Sequence, residues 1–237
     1  MYTFESPVRY SETGEDGKIT LGAIVNYLQD CTYFHSESLG VGEKYLLDSG
    51  HIWVLSSWQI VMDGYPSVCD RISVGTQAYD YDSFFAYRNF VITDAANPEK
   101  YYVRANSAWV LVDISTGKPK RLEEKDISAY GFSEPLPMDY ARGKIQYEGE
   151  GSRQTPLEIA PYHLDSNHHV NNQQYIQIAQ SVLPGEFHVR ELRVEYKRQA
   201  KLGDMVYPVV YPVEGGYVVA LNMENGRSFA VVSFQLY

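Results

Sequence analysis

A repeated pattern constrains this chain more than any other feature: one amphipathic helical stretch followed by a series of β-like runs occurs twice. In the first copy, Thr20 is placed to cap a helix with Leu21, Ile24, Val25, Leu28 and Cys31 on one face, ending near Leu39-Gly40. Alternating runs follow at 52–62, 71–79, 84–93 and 102–112, punctuated by Gly, Pro, Asp and Asn. In the second copy, 162–183 reads as strand, turn and helix, and 189–196, 205–211, 217–224 and 228–236 repeat the strands. Laying 165–180 over 15–30 at an offset of 150 matches the helix registers. Leu202-Gly203-Asp204 falls on Val68-Cys69-Asp70 at an offset of 134, and an internal duplication is the economical explanation.

One helix and a mainly antiparallel sheet per copy can bury each other's apolar faces, which makes the fold class α+β. A length of 237 residues with 44% hydrophobic content supplies enough core for two such domains. Residues 2–10 read as a further strand and 11–17 as a turn. The segment 116–151, with Pro119, Pro135 and Pro137, reads as the connector, dividing the chain into 1–135 and 136–237. Its Lys118-Pro119-Lys120-Arg121 run reads as a solvated turn.

Several classes of function are disfavoured. There is no run of about 18 apolar residues, and Met1-Tyr2-Thr3-Phe4-Glu5 lacks the regions of a signal peptide, so no membrane association and a cytoplasmic location are expected. Cys31 and Cys69 have no metal-ligand spacing and are expected as reduced thiols, with no metal and no cofactor. A net charge of −10 argues against nucleic acid.

The chemistry concentrates in Asp165-Ser166-Asn167-His168-His169-Val170-Asn171-Asn172-Gln173-Gln174-Tyr175, a polar run that opens the second helix. Tyr175, Ile176, Ile178, Ala179, Val182 and Leu183 form its apolar stripe, which ends at Pro184-Gly185. Free N–H groups and the positive dipole end at a helix start suit a developing oxyanion. A carbonyl substrate could be polarised there. Asp165 would serve as general base for water or as nucleophile, and His169 would move protons. Asn167 and free amides near Val170 and Asn171 would hold the carbonyl oxygen. His168 reads as a surface residue, and Asn171, Asn172 and Tyr175 as supporting groups. The competing reading is an Asx-rich cap that only satisfies local backbone. In the overlay Asn167 faces Gly17 and His169 faces Ile19, so the first copy lacks these groups.

The run D-x-N-x-H-V-N-N-x-x-Y resembles the active-site motif of the acyl-ACP thioesterases, bacterial relatives of the plant enzymes. Trp53-Val54-Leu55-Ser56-Ser57-Trp58, Phe84-Phe85-Ala86-Tyr87-Arg88 and Val194-Glu195-Tyr196-Lys197-Arg198 extend the resemblance over nearly the whole chain. It implies a tandem (double) hotdog fold, each half a long helix wrapped by a sheet. It also implies hydrolysis of fatty acyl-[acyl carrier protein] in fatty acid biosynthesis, with acyl carrier protein as partner and a monomer or homodimer as the assembly. The first half would bind the acyl chain, with Val25, Leu28, Trp53 and Trp58 on the substrate side, while the second cuts it.

Two positions depart from the family. Where it carries an acidic residue, followed in plant members by Cys, this chain has Gln199 and Ala200. Gln199 can hydrogen-bond water or a carbonyl but cannot take a proton. Glu195 would share its strand face by two-residue periodicity, about 13 Å away. The basic residues Arg190, Arg193, Lys197, Arg198 and Lys201 around Gln199 are candidates for docking the carrier, with Lys197, Arg198 and Lys201 closest to the substrate. The alternatives are an acyl-thioester hydratase or dehydratase and a non-catalytic acyl-binding hotdog protein. A dehydratase needs acid and base flanking Cα and Cβ, whereas this motif gathers its groups around a carbonyl carbon.

Overall fold

The computed structural model describes residues 1–185 and 187–237, in two compact units, Met1–Tyr140 and Ala141–Tyr237. The first contains β1 (Tyr2–Pro7), α1 (Leu21–Ser38), α2 (Glu43–Asp48), β2 (His51–Met62), β3 (Arg71–Tyr81), β4 (Phe85–Asp94), β5 (Tyr101–Asp113), β6 (Lys118–Pro119) and α3 (Glu124–Ile127). Its strands run antiparallel in the order β1-β3-β4-β5-β2, with β6 added to β5. Thr20 Oγ1 accepts the Ala23 N–H at 3.2 Å and fixes the start of α1. The helix lies on β1 and β3 and buries Leu21, Ile24, Val25, Leu28 and Cys31. Each large side chain taken from water there contributes about 1.5–3 kcal/mol.

Strand β4 is buried from Arg88 to Thr93 without alternation, so both of its faces are covered. Residues 133–140, expected as free connector, supply one cover. Leu136 N–H and Tyr140 Oη both donate to Asn89 Oδ1 at 2.9 Å, Gln59 Nε2 donates to Asp139 O at 2.8 Å, and Gln77 Nε2 to Glu134 O at 2.7 Å. The Lys118–Arg121 run is likewise no free turn. Lys118–Pro119 pairs with β5, Lys120 is ion-paired with Asp126, and Leu122 and Ile127 pack on Leu111. Trp53 packs half-buried on that cluster, while Val25, Leu28 and Trp58 belong to the core.

A buried cation also lies in this unit. Arg88 Nη2 meets His35 Nδ1 at 2.6 Å, its Nε donates to Thr76 Oγ1 at 3.3 Å, and its guanidinium lies 5.2 Å from the Tyr130 ring centre. No carboxylate pairs with it among the described residues. Burial, then the Arg88 charge, then the N-terminal amine hold His35 down to about 4.

The second unit contains β7 (Ser152–Arg153), β8 (Leu157–Glu158), α4 (Asn172–Ser181), β9 (Val189–Tyr196), β10 (Met205–Val213), β11 (Gly216–Asn222) and β12 (Ser228–Leu236). The antiparallel order is β9-β12-β11-β10-β7, with β8 also on β10, and α4 packs on β11 and β12. The helix ends before Val182 and Leu183, which continue the apolar stripe, because Val182 takes the cap position and Pro184 cannot extend a helix.

Hydrogen bonds confirm the duplication and correct its register. Short 3₁₀ turns at Tyr10–Glu12 and Pro161–His163, bridges Thr13↔Ile19 and Leu164↔Val170, and caps Thr20 and Asn171 all correspond at 151, the interval from Thr20 to Asn171. The overlay at 150 is one residue short, so Asn167 corresponds to Asp16 and His169 to Lys18. Further along, the offset of 134 holds. Asp70 Oδ2 accepts the Ser67 N–H at 2.8 Å as Asp204 Oδ2 accepts the Lys201 N–H at 2.8 Å, and Cys69 and Gly203 both take left-handed backbone with φ of 70° and 82°.

Candidate active site

The turn before α4 is built around one carboxylate oxygen. Asp165 Oδ1 accepts the N–H groups of Asn167 at 2.9 Å and His169 at 3.1 Å, and Asp165 N–H donates to His169 O at 2.7 Å. The chain closes this turn through His168, whose φ of 59° is costly for a residue with a Cβ. Asn171 then caps the helix, its Oδ1 accepting from Gln173 N–H at 3.0 Å. These bonds are what an Asx-rich cap predicts.

What remains unbonded goes beyond a cap. Among the described residues, Asp165 Oδ2, the Asn167 side chain and the His169 imidazole make no hydrogen bond. The Val170 N–H is also unpaired, although the residue is only 3% exposed. An oxyanion beside it would meet a donor that needs no bond broken first. Asn171 is different: its N–H donates to His163 O at 3.0 Å, so it is not the second free amide that the sequence suggests.

The structure therefore gathers Asp165, Asn167 and His169 into one turn and places Gln199 on another segment. Strand β9 ends at Tyr196, and the N–H groups of Lys197 and Arg198 both turn onto Phe229 O, at 2.8 and 3.0 Å. Two-residue periodicity therefore does not carry from Glu195 to Gln199. Glu195 is engaged elsewhere, accepting the Ile145 N–H at 2.6 Å and pairing with Lys197. Gln199 lines a cleft of about 540 Å³ with Arg198, Lys201, Asp204 and Met205. The basic cluster is also split. Arg193 Nη2 donates to Gly143 O at 2.8 Å and Lys197 is paired, whereas Arg198 and Lys201 are exposed and their side chains have no partner among the described residues.

Two tyrosines tie these segments together. Tyr175 Oη accepts the Ala200 N–H at 2.8 Å, Tyr196 Oη donates to Asn172 O at 3.1 Å, and the rings meet edge to face at 5.8 Å. Burial pushes the Tyr175 hydroxyl up to about 12, so it stays protonated. The sequence reading treats Tyr175 as a supporting group and does not foresee this connection. The only signal available is internal: in the corrected register Ile24 and Met62 occupy the positions of Tyr175 and Tyr196.

Models of one protein family match both parts of the chain. The model of the acyl-ACP thioesterase N-terminal domain matches residues 1–130, and that of the acyl-ACP thioesterase C-terminal domain matches residues 148–225. Acyl-[acyl-carrier-protein] hydrolase FATB1, chloroplastic, of Cuphea viscosissima is 25% identical over 241 residues, covering 92% of this chain and 57% of its own length. The palmitoyl-acyl carrier protein thioesterase, chloroplastic, of Arabidopsis thaliana is 26% identical over 208 residues, covering 81% and 50%. The chain thus spans little more than half of these relatives. An acyl-ACP thioesterase structure from Bacteroides thetaiotaomicron superposes with a TM-score of 0.90 at 23% identity, over 100% of this chain and 97% of that one. The 12:0-ACP thioesterase of Umbellularia californica superposes at 0.86 with 18% identity, over 100% and 96%. These likenesses establish the fold, a hotdog in each half.

Proposed function

This chain belongs to the acyl-ACP thioesterase family, and from that premise we propose that it hydrolyses the thioester of fatty acyl carrier protein, releasing free fatty acid in fatty acid biosynthesis. The observation that carries the proposal is the turn itself. Asp165 has one oxygen fixed by two N–H groups and the other open, beside an unpaired N–H at Val170. Attack on the thioester carbon by water, deprotonated at Asp165, or by the carboxylate itself, places charge on the carbonyl oxygen. The Val170 N–H and the Asn167 amide receive that charge. His169 protonates the departing pantetheine thiol. Gln199 orients water or the carbonyl without taking a proton. Incubation with acyl carrier protein thioesters followed by mass spectrometry tests the reading. Free fatty acid supports it, a gain of one water on the intact thioester indicates a hydratase, and no change indicates an acyl-binding protein.

The carrier is acidic in this family resemblance, and the chain has a net charge of −10. Repulsion is screened beyond about 8–10 Å, so local charge decides docking. Arg198 and Lys201, unpaired at the cleft beside Gln199, are suited to the carrier and the phosphate of its arm. The double variant Arg198→Glu/Lys201→Glu is expected to raise KM for acyl carrier protein about tenfold or more, most at low salt. Hydrolysis of a short pantetheine thioester should change much less; equal losses on both substrates would assign the two residues to the catalytic machinery or the fold.

The first unit, without the turn's catalytic groups, is the candidate holder of the acyl chain. Val25 is 0% exposed, so a bulky replacement would overpack the core and confound any readout. Val25→Ala instead opens space along α1 and should move the preferred acyl length upward at a stability cost of about 1–2 kcal/mol. An unchanged profile across a panel of acyl lengths would count against this role.

A further inference from the structure

The duplicated halves hold the same two segments in opposite ways. In the first unit the turn before α1 is bonded directly to the loop after β2: Ile19 N–H donates to Pro66 O at 2.9 Å, Val68 N–H to Gly17 O at 3.0 Å, and Lys18 Nζ to Ser67 Oγ at 2.9 Å. The corresponding pairs in the second unit are Val170 with Ala200, Leu202 with His168, and His169 with Lys201. None of these bonds forms among the described residues. The loop after β9 is held on α4 instead, through Ala200 N–H on Tyr175 Oη and Tyr196 Oη on Asn172 O.

Three substitutions track this difference. Ile24 stands where the second unit has Tyr175, Met62 where it has Tyr196, and Pro66 where it has Ala200. The first unit therefore lacks both the hydroxyl that accepts and the N–H that donates, and its loop is free to close on the turn. The second unit has both, and its loop does not close. Ala200 is 0% exposed, so its N–H has no water to turn to.

We infer that Tyr175 is a positioning residue: its hydroxyl holds the Ala200 N–H, and with it the Gln199 loop, on α4, keeping that loop off the Asp165–Val170 turn and leaving the Val170 N–H free for substrate. The inference rests on the proposed thioesterase reading for its kinetic consequence and on the internal comparison for its geometry. Without the hydroxyl, the Ala200 C=O can take the Val170 N–H as Pro66 takes that of Ile19.

The test compares wild type, Tyr175→Phe and the paired Tyr175→Ile/Ala200→Pro, which recreates the first unit's combination and leaves no orphaned N–H. Tyr175→Phe should lower both Tm and kcat, with kcat down about 10- to 100-fold and KM within about threefold. The paired variant should regain Tm without regaining kcat, and its Val170 amide should exchange about tenfold or more slowly than in wild type as the cross-loop bond forms. Recovery of kcat in step with Tm would make Tyr175 a merely structural residue and overturn the inference, as would a Val170 exchange rate unchanged in the paired variant. A wild type without hydrolytic activity would defeat the thioesterase reading, while the exchange measurement would still decide the positioning role.

Discussion

Asp165→Asn and His169→Ala are each expected to lower turnover of acyl carrier protein thioesters by about 10²–10⁴-fold with the fold intact. Asp165→Asn is the sharper test because the amide oxygen can still accept the two backbone bonds that Oδ1 now takes from Asn167 and His169. The turn is thereby preserved while the carboxylate's negative charge and basicity are removed. His169→Ala leaves the same backbone bond in place and removes only the unpaired imidazole. A melting temperature close to wild type with turnover lost locates the effect in chemistry. Either variant retaining near wild-type turnover would end the assignment of that residue. Asn167→Ala should have a smaller effect, about 10²-fold, because Val170 still supplies one donor.

Lowering the pH from about 6.5 to about 4 should cost the first unit on the order of 2 kcal/mol of stability through His35 alone. The ring is held neutral in the fold down to about 4, first by burial and then by Arg88, whereas in the unfolded chain it protonates near the ordinary value of about 6.5. Between those limits the unfolded state binds a proton that the folded state does not, so stability falls with pH and levels off below about 4. Arg88 at 2.6 Å, Tyr130, Tyr2 stacked at 5.3 Å and the N-terminal amine face the ring, and among the described residues no carboxylate pairs with it to relieve the second charge. His35→Gln keeps an acceptor for Arg88 and cannot titrate. The difference in denaturant midpoint between wild type and His35→Gln, followed from pH 7 to 4, isolates this contribution from the carboxylates. Parallel curves would mean that His35 protonates as readily folded as unfolded.

The sequence makes the strands and α1 legible because each carries its own punctuation: Thr20 before the apolar face, Gly, Pro and Asp between alternating runs. It hides α2, a six-residue helix with no buried side chain and no side-chain cap, which offers no periodic stripe to read. It also hides the wall formed by 133–140, since a polar, proline-containing segment looks alike whether its partners are water or Asn89. The register error in the overlay has a related cause. Apolar stripes on a helix tolerate a shift of one residue, whereas a cap does not, and matching Thr20 to Asn171 would have given the correct interval. At the site, residue types pointed to the Asp165 turn, but which amides remain unpaired depends on bonds between segments distant in sequence. The same holds for Gln199, whose place follows from where β9 lets go of the sheet.

In each half the first strand after the helix joins the sheet beside the last one made: β2 with β5, and β9 with β12. The three later strands of each half form a meander of local hairpins, which close quickly at little entropic cost, while the first must wait across the whole loop for its neighbour. On a ribosome, β9 therefore lacks its neighbour within the second unit until β12, the last strand of that unit, has emerged. The backbone of the Gln199 loop is anchored on Phe229 of that same strand. The Gln199 loop is thus shaped at the end of folding, and a chain interrupted before β12 would carry every proposed catalytic side chain without that anchor.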